Sequence, residues 1–279
     1  MMKSRGKNVG KFFHTILKWL IGIICISPMY VAIIYSLKSK QELAVNRFAL
    51  PEVLYWENFS QGIVQSNFFN ALKNSFITTS LATIILTVIC SMASYIIARK
   101  NNSKFYNSVY FIFVAAMIIP FQSILTPLYI NLLRWGLVNS LIGFVLAKSG
   151  FQVAFTVLII TGFVKSIPRE LEEAANIDGA GLYRTYWQII FPLMKPVIFT
   201  SVVLNALNIW NDFQISVTIL QKQSVRTLPL TQYFFFGENN SELGLAFAVF
   251  VLSMIPVLTL YLSLQKYIIS GITSGAVKG

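Results

Sequence analysis

The chain of 279 residues is 56% hydrophobic and only 11% charged, and 23 of its residues are phenylalanine. A soluble domain carries about 25% charged residues, so this balance excludes an ordinary soluble protein and points to an integral membrane protein. The net charge of +12 does not indicate nucleic acid, because the basic residues lie in short clusters between apolar runs, where membrane orientation and anionic lipid explain them.

Residues 1–14 form a basic tail that ends at His14, the single histidine. With no second ligand type beside it, His14 reads as an interfacial side chain rather than a metal ligand. The apolar run 15–37 is too long for a signal-peptide core and has no small-x-small cleavage site, so it reads as a retained first span. A spanning helix needs about 20 mostly apolar residues, and six segments qualify: 15–37, 71–98, 105–133, 138–163, 197–220 and 243–268. Helices are expected because lipid offers no partner to open backbone groups, and no alternating ten-residue segments suggest a barrel. Pro28, Pro120, Pro127 and Pro256 fall inside spans and predict kinks. The connection 38–70, with Pro51, Tyr55 and Trp56, predicts a short helix and loop on the outer membrane surface. Cys25 and Cys90 both sit in apolar runs, so no disulfide framework is expected.

Most of the Lys and Arg residues fall on one side if the amino terminus is cytoplasmic: Lys3 to Lys18, Arg99 to Lys104, Lys165 to Lys195, and Lys266 with Lys278. This bias predicts both termini inside and places segment 166–196 in the cytoplasm. The fold class is therefore all-α, a polytopic membrane protein of six transmembrane helices. A transmembrane domain is expected over 15–268, followed by a cytoplasmic tail, 269–279.

Catalytic patterns are missing. "GKNVGKF" at Gly6 and "GITSGAVKG" at Gly271 lack the spacing that cradles phosphates. There is no Cys/His pair, Ser/His/Asp set or HExxH, so neither catalysis nor a metal or other cofactor is expected in this chain. Uphill movement of a solute would draw its energy from a partner or an ion gradient.

Four of the ten acidic residues, Glu170, Glu172, Glu173 and Asp178, cluster in "RELEEAANIDGAG". Ser166 and Pro168 predict a helix start, the carboxylates suit its first turns, and Gly179 suits its left-handed stop. Residues 168–178 thus read as a helix too short to persist alone, and 181–191 as a second helix ending before Pro192. The residues alone leave two readings open, a solvated loop or a docking helix for a cytosolic partner.

In the fifth span Ser201, Asn205, Asn208 and Asp212 share one helix face. Lys148 and Gln152 form a second polar face in the fourth. Intramembrane ionisable groups are usually functional or paired, so these faces either border a translocation path, hold the bundle together or meet a partner subunit. Lys148 and Asp212 are placed to attract each other.

The run Glu173-Ala174-Ala175-x-x-Asp178-Gly179-Ala180, followed by Ile189-x-x-Pro192 and Pro196, resembles the EAA loop of ABC-importer permeases. Over nearly the whole chain the sequence is similar to the maltose-type permease subunit of the oligosaccharide branch, through "SP…YSLK", "NSF" at Asn74, "YIIAR" ending at Arg99, "WGLVNSLIG" from Trp135, "WNDF" from Trp210 and the tail "QKYIISGITSGAVKG" from Gln265. The resemblance implies a coupling role for loop 166–196. Glu173 would pair with a basic residue of a cytoplasmic ABC ATPase dimer, Ala174, Ala175 and Ala180 would pack in its cleft, and Gly179 would make the turn. Gly275, Ala276 and Lys278 would also reach that dimer, which would carry the ATP and magnesium. The further partners implied are a homologous second permease subunit, an extracytoplasmic sugar-binding protein, carbohydrate and membrane lipid. Two departures from the family pattern are Phe191, in place of the usual Leu, and the charged Lys148 inside a span. The alternatives are an ABC permease for another solute, such as a glycerol phosphate or a polyamine, a gradient-driven secondary transporter, and a structural scaffold.

Overall fold

A computed structural model describes the backbone of residues 2–233, 235 and 242–276, and the side chains of 14–233, 235, 242–259, 261 and 262. Among the described residues every regular element is helical. The chain divides into two compact units, Met1–Phe68 with Thr231–Met254, and Phe69–Leu230 with Ile255–Gly279.

The first unit begins with α1 (Met2–Ser36), which carries Pro28. Its apolar stretch His14–Ser36 is long enough to span a membrane; its side chains are mostly uncovered up to Tyr30, with Trp19, Ile23 and Ile26 standing out, and Ala32, Ile34, Tyr35 and Ser36 are buried. The predicted outer connection is two helices rather than one, α2 (Lys40–Val45) and α3 (Glu57–Gln65). Ser39 caps α2 by accepting from the Glu42 amide. Lys38 is fully buried, and its Nζ donates to the Asn46 carbonyl at 2.7 Å. Asn58 Nδ2 donates to the carbonyls of Ser36 and Lys38, which closes the end of α1 where its carbonyls lack helical partners. The "YSLK" stretch is thus tied to the end of α2 and to α3. Gly244 makes room there, since a Cβ on it would lie 2.7 Å from Asn58 Nδ2.

The second unit contains α4 (Phe68–Arg99), α5 (Lys104–Ala116), α6 (Phe121–Arg134) and α7 (Leu141–Val164). The acidic segment follows as α8 (Glu170–Ile177), α9 (Leu182–Thr185), a π-helical turn (Tyr186–Ile190) and α10 (Phe191–Leu193). Then come α11 (Lys195–Trp210), α12 (Gln214–Ile219) and a 3₁₀ turn (Gln223–Val225), while α13 (Leu228–Tyr233) passes into the first unit after Leu230 and α14 (Leu243–Ala276) belongs to the first unit as far as Met254. Helix α7 is the axis of this unit, and α5, α11 and α12 pack on it. The core contains Leu86, Phe144, Val157, Ile160, Ile190 and Met194, all fully buried.

Two of the six expected spans are broken by bends rather than running straight. Among the described residues three helices are long and apolar enough to cross a membrane, His14–Ser36, Phe68–Arg99 and Leu141–Val164, and each of two bent pairs can make a further span. The third predicted span, 105–133, is instead two helices meeting at 102°. Pro120 stands at that break as the residue before α6; it lacks an amide proton and forces the residue before it out of the helical region. The fifth, 197–220, breaks after Trp210 and resumes as α12. Pro192 does not end the second loop helix either, because the chain continues through it to Leu193. A proline ring clashes with the carbonyl four residues back, and the preceding turn relaxes into the wider π form. The sharp turn comes later, at 74° between Leu193 and Lys195. The sixth predicted span, 243–268, lies within α14, whose apolar part Leu243–Thr259 is shorter.

Several of the motifs noted above are turn chemistry. In "WGLVNSLIG" Gly136 and Asn139 have φ of +67° and +58°, a region open to Gly and tolerated by Asn. Ser140 caps α7, and a Cβ on Gly143 would meet the Leu137 carbonyl at 2.2 Å. In "NSF" Asn74 Nδ2 donates to the carbonyls of Ser224 and Arg226, while Ser75 Oγ accepts from the Leu228 amide. One turn of α4 therefore holds the segment that leads into α13.

Candidate functional site

Helix α8 is only eight residues long, with Glu170, Glu172 and Glu173 in its first turn. The residue at its start is Arg169, not Ser166 or Pro168, since the Ser166 hydroxyl is engaged with the Phe163 carbonyl behind it. Its end follows the predicted pattern. Gly179 has φ +80°, the Gly179 amide bonds the Asn176 carbonyl, and the Ala180 amide bonds the Ala175 carbonyl. This paired arrangement closes the orphan carbonyls of a helix end, and a left-handed glycine makes it inexpensive.

The faces of α8 differ. Glu173, Ala174, Asn176 and Asp178 are exposed, and Ala180 is half-buried. Ala175, expected to meet a partner's cleft, is instead 5% exposed within this chain. It sits on the side that holds the helix to its own bundle. Glu172 also turns inward. Its carboxylate accepts from Arg99 Nε and, at 2.9 Å, from the Tyr95 hydroxyl. Arg99 Nη1 donates to the Val164 carbonyl at the end of α7. Arg169 Nη2 donates to the Arg99 carbonyl and to Asn101 Oδ1. Further along, the Tyr186 hydroxyl donates to Ser91 Oγ at 2.7 Å, with Tyr95 and Tyr186 rings 5.4 Å apart. Pro192, half-buried, directly follows the π turn. The sequence showed the acidic island and "YIIAR" separately; nothing in either indicated that they meet.

The polar faces of α7 and α11 do meet. Lys148 Nζ lies 2.7 Å from Asp212 Oδ2, and the two side chains are 9% and 7% exposed. Asp212 Oδ1 accepts from the amides of Ile215 and Ser216. The "WNDF" motif is thus a helix break. Asp212 satisfies the unpaired amides at the start of α12, where a negative charge is also favoured by the helix dipole, and Lys148 neutralises it. This is why the predicted fifth span is interrupted. Deeper along the same faces, Gln152 Nε2 donates to Asn205 Oδ1 at 3.2 Å, and Asn205 Nδ2 donates to Thr156 Oγ1 at 3.0 Å and reaches Ser201 Oγ at 3.4 Å. Ser201, Asn205 and Asp212 are buried, while Asn208 is exposed. Beside Asn208 lies an open cavity of about 550 Å³, lined also by Lys148, Asn211, Asp212 and Gln214. Thr156, Ser216 and Thr227 complete the network, with Thr227 and Ser216 hydroxyls 3.2 Å apart. Thr156 continues the offset of Lys148 and Gln152 by four more residues, so that periodicity would have found it.

Of the tail residues, Gly275 and Ala276 are described only as helical backbone, and Lys278 lies outside the described residues.

Residues 90–274 match the family described as binding-protein-dependent transport system inner membrane component. The chain is 35% identical over 266 residues to the melibiose/raffinose/stachyose import permease protein MelC of Bacillus subtilis, covering 95% of this chain and 96% of that one. It is 34% identical to the probable starch degradation products transport system permease protein AmyC of Thermoanaerobacterium thermosulfurigenes, over 98% of this chain and 99% of the relative. It is 32% identical to the multiple sugar-binding transport system permease protein MsmG of Streptococcus mutans, over 99% and 100%. Among solved structures, a bacterial ABC transporter involved in the import of the acidic polysaccharide alginate superposes with a TM-score of 0.80 at 21% identity, covering 94% of this chain and 98% of that one; at that identity the likeness is one of fold. With its apolar helices, its short acidic helix ending at Gly179 and this match over most of its length, the chain belongs to the family of binding-protein-dependent transport system inner membrane components.

Proposed function

We propose that this protein is the permease subunit of an ATP-binding-cassette importer that carries carbohydrate, an oligosaccharide, across the cytoplasmic membrane. The observation that carries this reading is α8, a two-turn acidic helix that presents Glu173 and Ala174 outward while Glu172 and Ala175 hold it to the bundle. A helix so short has no stability of its own, and its exposed carboxylate offers a partner to a basic side chain of an ATPase. Sugar names on the similar permeases, for melibiose, raffinose and stachyose and for starch degradation products, support the choice of solute.

In this reading the transmembrane domain spans 15–268 with six membrane passages, α5 with α6 making one and α11 with α12 another, and both termini inside. A homologous permease subunit completes the pathway, two ATPase domains engage loop 166–196, and an extracytoplasmic binding protein delivers the sugar. Glu173, Ala174, Asp178 and Ala180 face the ATPase, Gly179 sets the turn and Pro192 shapes the following segment. ATP-driven closure of the ATPases moves α8, and the bundle passes from inward-open to outward-open. The sugar biases that cycle only by binding the two states differently. Asn208 and the cavity beside the Lys148–Asp212 pair border the path, while Ser201, Asn205 and Gln152 hold α7 to α11.

The test is reconstitution with the ATPase and binding protein in vesicles, with uptake measured across a panel of di- to tetrasaccharides. Uptake is expected only with ATP. Uptake driven by a proton or sodium gradient without the ATPase would overturn the reading. Glu173→Lys is expected to insert normally and to abolish stimulation of ATP hydrolysis by the binding protein; undiminished uptake in that variant would remove Glu173 from the coupling surface.

A further inference from the structure

The guanidinium of Arg99 stands where three helices end. It donates to Glu172 on α8 and to the Val164 carbonyl at the end of α7, which also accepts from the Ile167 amide, and it belongs itself to the last turn of α4. Side chains of Arg99 and Glu172 are 11% and 15% exposed, so this charge-assisted contact is largely shielded from water and stronger than a surface pair. Tyr95, one turn before Arg99, holds the other carboxylate oxygen. A second arginine works in the opposite direction. Arg169, at the start of α8, reaches back to the Arg99 carbonyl and to Asn101. Each arginine therefore closes the end of the other's helix or loop. The face of α8 that carries Glu172 is not the face that presents Glu173.

We infer that Arg99, Glu172 and Arg169 form a reciprocal clasp that makes α8 and the inner ends of α4 and α7 one rigid body, so that displacement of α8 is transmitted to two membrane helices at once. These are positioning residues: they act through α8 and touch neither ATPase nor solute. Without the clasp, α8 would be held by the short link 165–169 and the apolar packing of Ala175, neither of which ties it by charge to α4 and α7, and part of a push on it would be absorbed there. Arg99 Nη2 is buried with no acceptor, so the guanidinium makes its bonds through Nε and Nη1.

The inference rests on the coupling role proposed for α8. Its test uses the assembled transporter in vesicles, reading basal ATP hydrolysis, hydrolysis stimulated by the binding protein, and sugar taken up per ATP. Glu172→Gln keeps the shape and can still accept from Tyr95 but loses the charge. It is expected to lower uptake per ATP about tenfold, the effect of one charge-assisted hydrogen bond, with basal hydrolysis and assembly unchanged. Arg99→Lys keeps the charge and loses the second bond, and should fall between the two. Wild-type uptake per ATP in Glu172→Gln would overturn the clasp. Should that variant fail to assemble, the decision passes to spin labels at Lys100→Cys and Asn176→Cys, with Cys25→Ser and Cys90→Ala in the background. The clasp requires the same label distance with and without ATP, and a distance that changes with nucleotide overturns it. Absence of ATP-dependent uptake by the unmodified complex would defeat the functional reading instead, a result distinct from either.

Discussion

Two ion pairs of similar burial do different work in this molecule. Lys148 and Asp212, 2.7 Å apart and both under a tenth exposed, lie inside the bundle and secure a helix break. Arg99 and Glu172, slightly more open, lie at the end of the bundle and secure a loop helix to it. The first pair was accessible from sequence, because a charge inside an apolar span demands a partner and the chain has few to offer. The second was not, because Arg99 and Glu172 each sit where charged residues are ordinary. A pair in an apolar setting announces itself by its cost; a pair at a membrane edge is recognised only from its geometry.

The contrast can be broken by substitution. The largest expected effect is that of Asp212→Ala, which leaves Lys148 charged and buried and uncaps α12. Loss of one partner of a buried pair costs about 3–5 kcal/mol, and thermal unfolding in detergent should show it as a large fall in Tm. Replacing both, Lys148→Met with Asp212→Asn, should recover most of that loss, since the Asn still accepts from the α12 amides. A double variant as unstable as the single one would mean that the charge pair itself, not the avoidance of an unpaired charge, holds the break.

A smaller effect is expected at the other pair. Glu172→Gln should cost about 1–3 kcal/mol, less than Asp212→Ala, while reducing coupling far more. Equal losses of stability and coupling at both sites would remove the distinction between a static brace and a transmitting one.

The smallest effect calibrates the other two, at a contact on the surface. The Tyr55 hydroxyl donates to Glu57 Oε2 at 2.6 Å, and that carboxylate raises the Tyr55 ionisation above its ordinary value. The raised acid favours the folded state fully below pH about 10 and loses that contribution as pH rises through the raised value. No change is therefore expected across neutral pH. Glu57→Gln should move the tyrosinate absorbance transition back down, and a transition unmoved by that change would show the carboxylate is not its cause.

Much of the fold was legible because the bilayer imposes simple requirements. Apolar length located the helical segments, and Gly179 marked the end of α8 through the one conformation that glycine adopts freely. The continuity of the spans was not legible. Pro120 was visible as a kink, yet a bend of 102° depends on what α6 packs against. The break at Asp212 required knowing that its carboxylate meets the α12 amides and Lys148 together. The stripe Ser201, Asn205, Asn208 and Asp212 was legible as one face, but not its division into three buried side chains and one exposed at a cavity.

By itself the sequence determined that the chain is helical, lives in a membrane, and carries a short acidic helix between its fourth and fifth apolar segments. These follow from composition, period and local turn chemistry, which act between near neighbours. Only the tertiary structure decided which carboxylate of that helix faces outward. Glu172 and Glu173 are adjacent and chemically identical, and the choice between them is made by Arg99 and Tyr95 more than seventy residues away, through contacts that no local rule encodes.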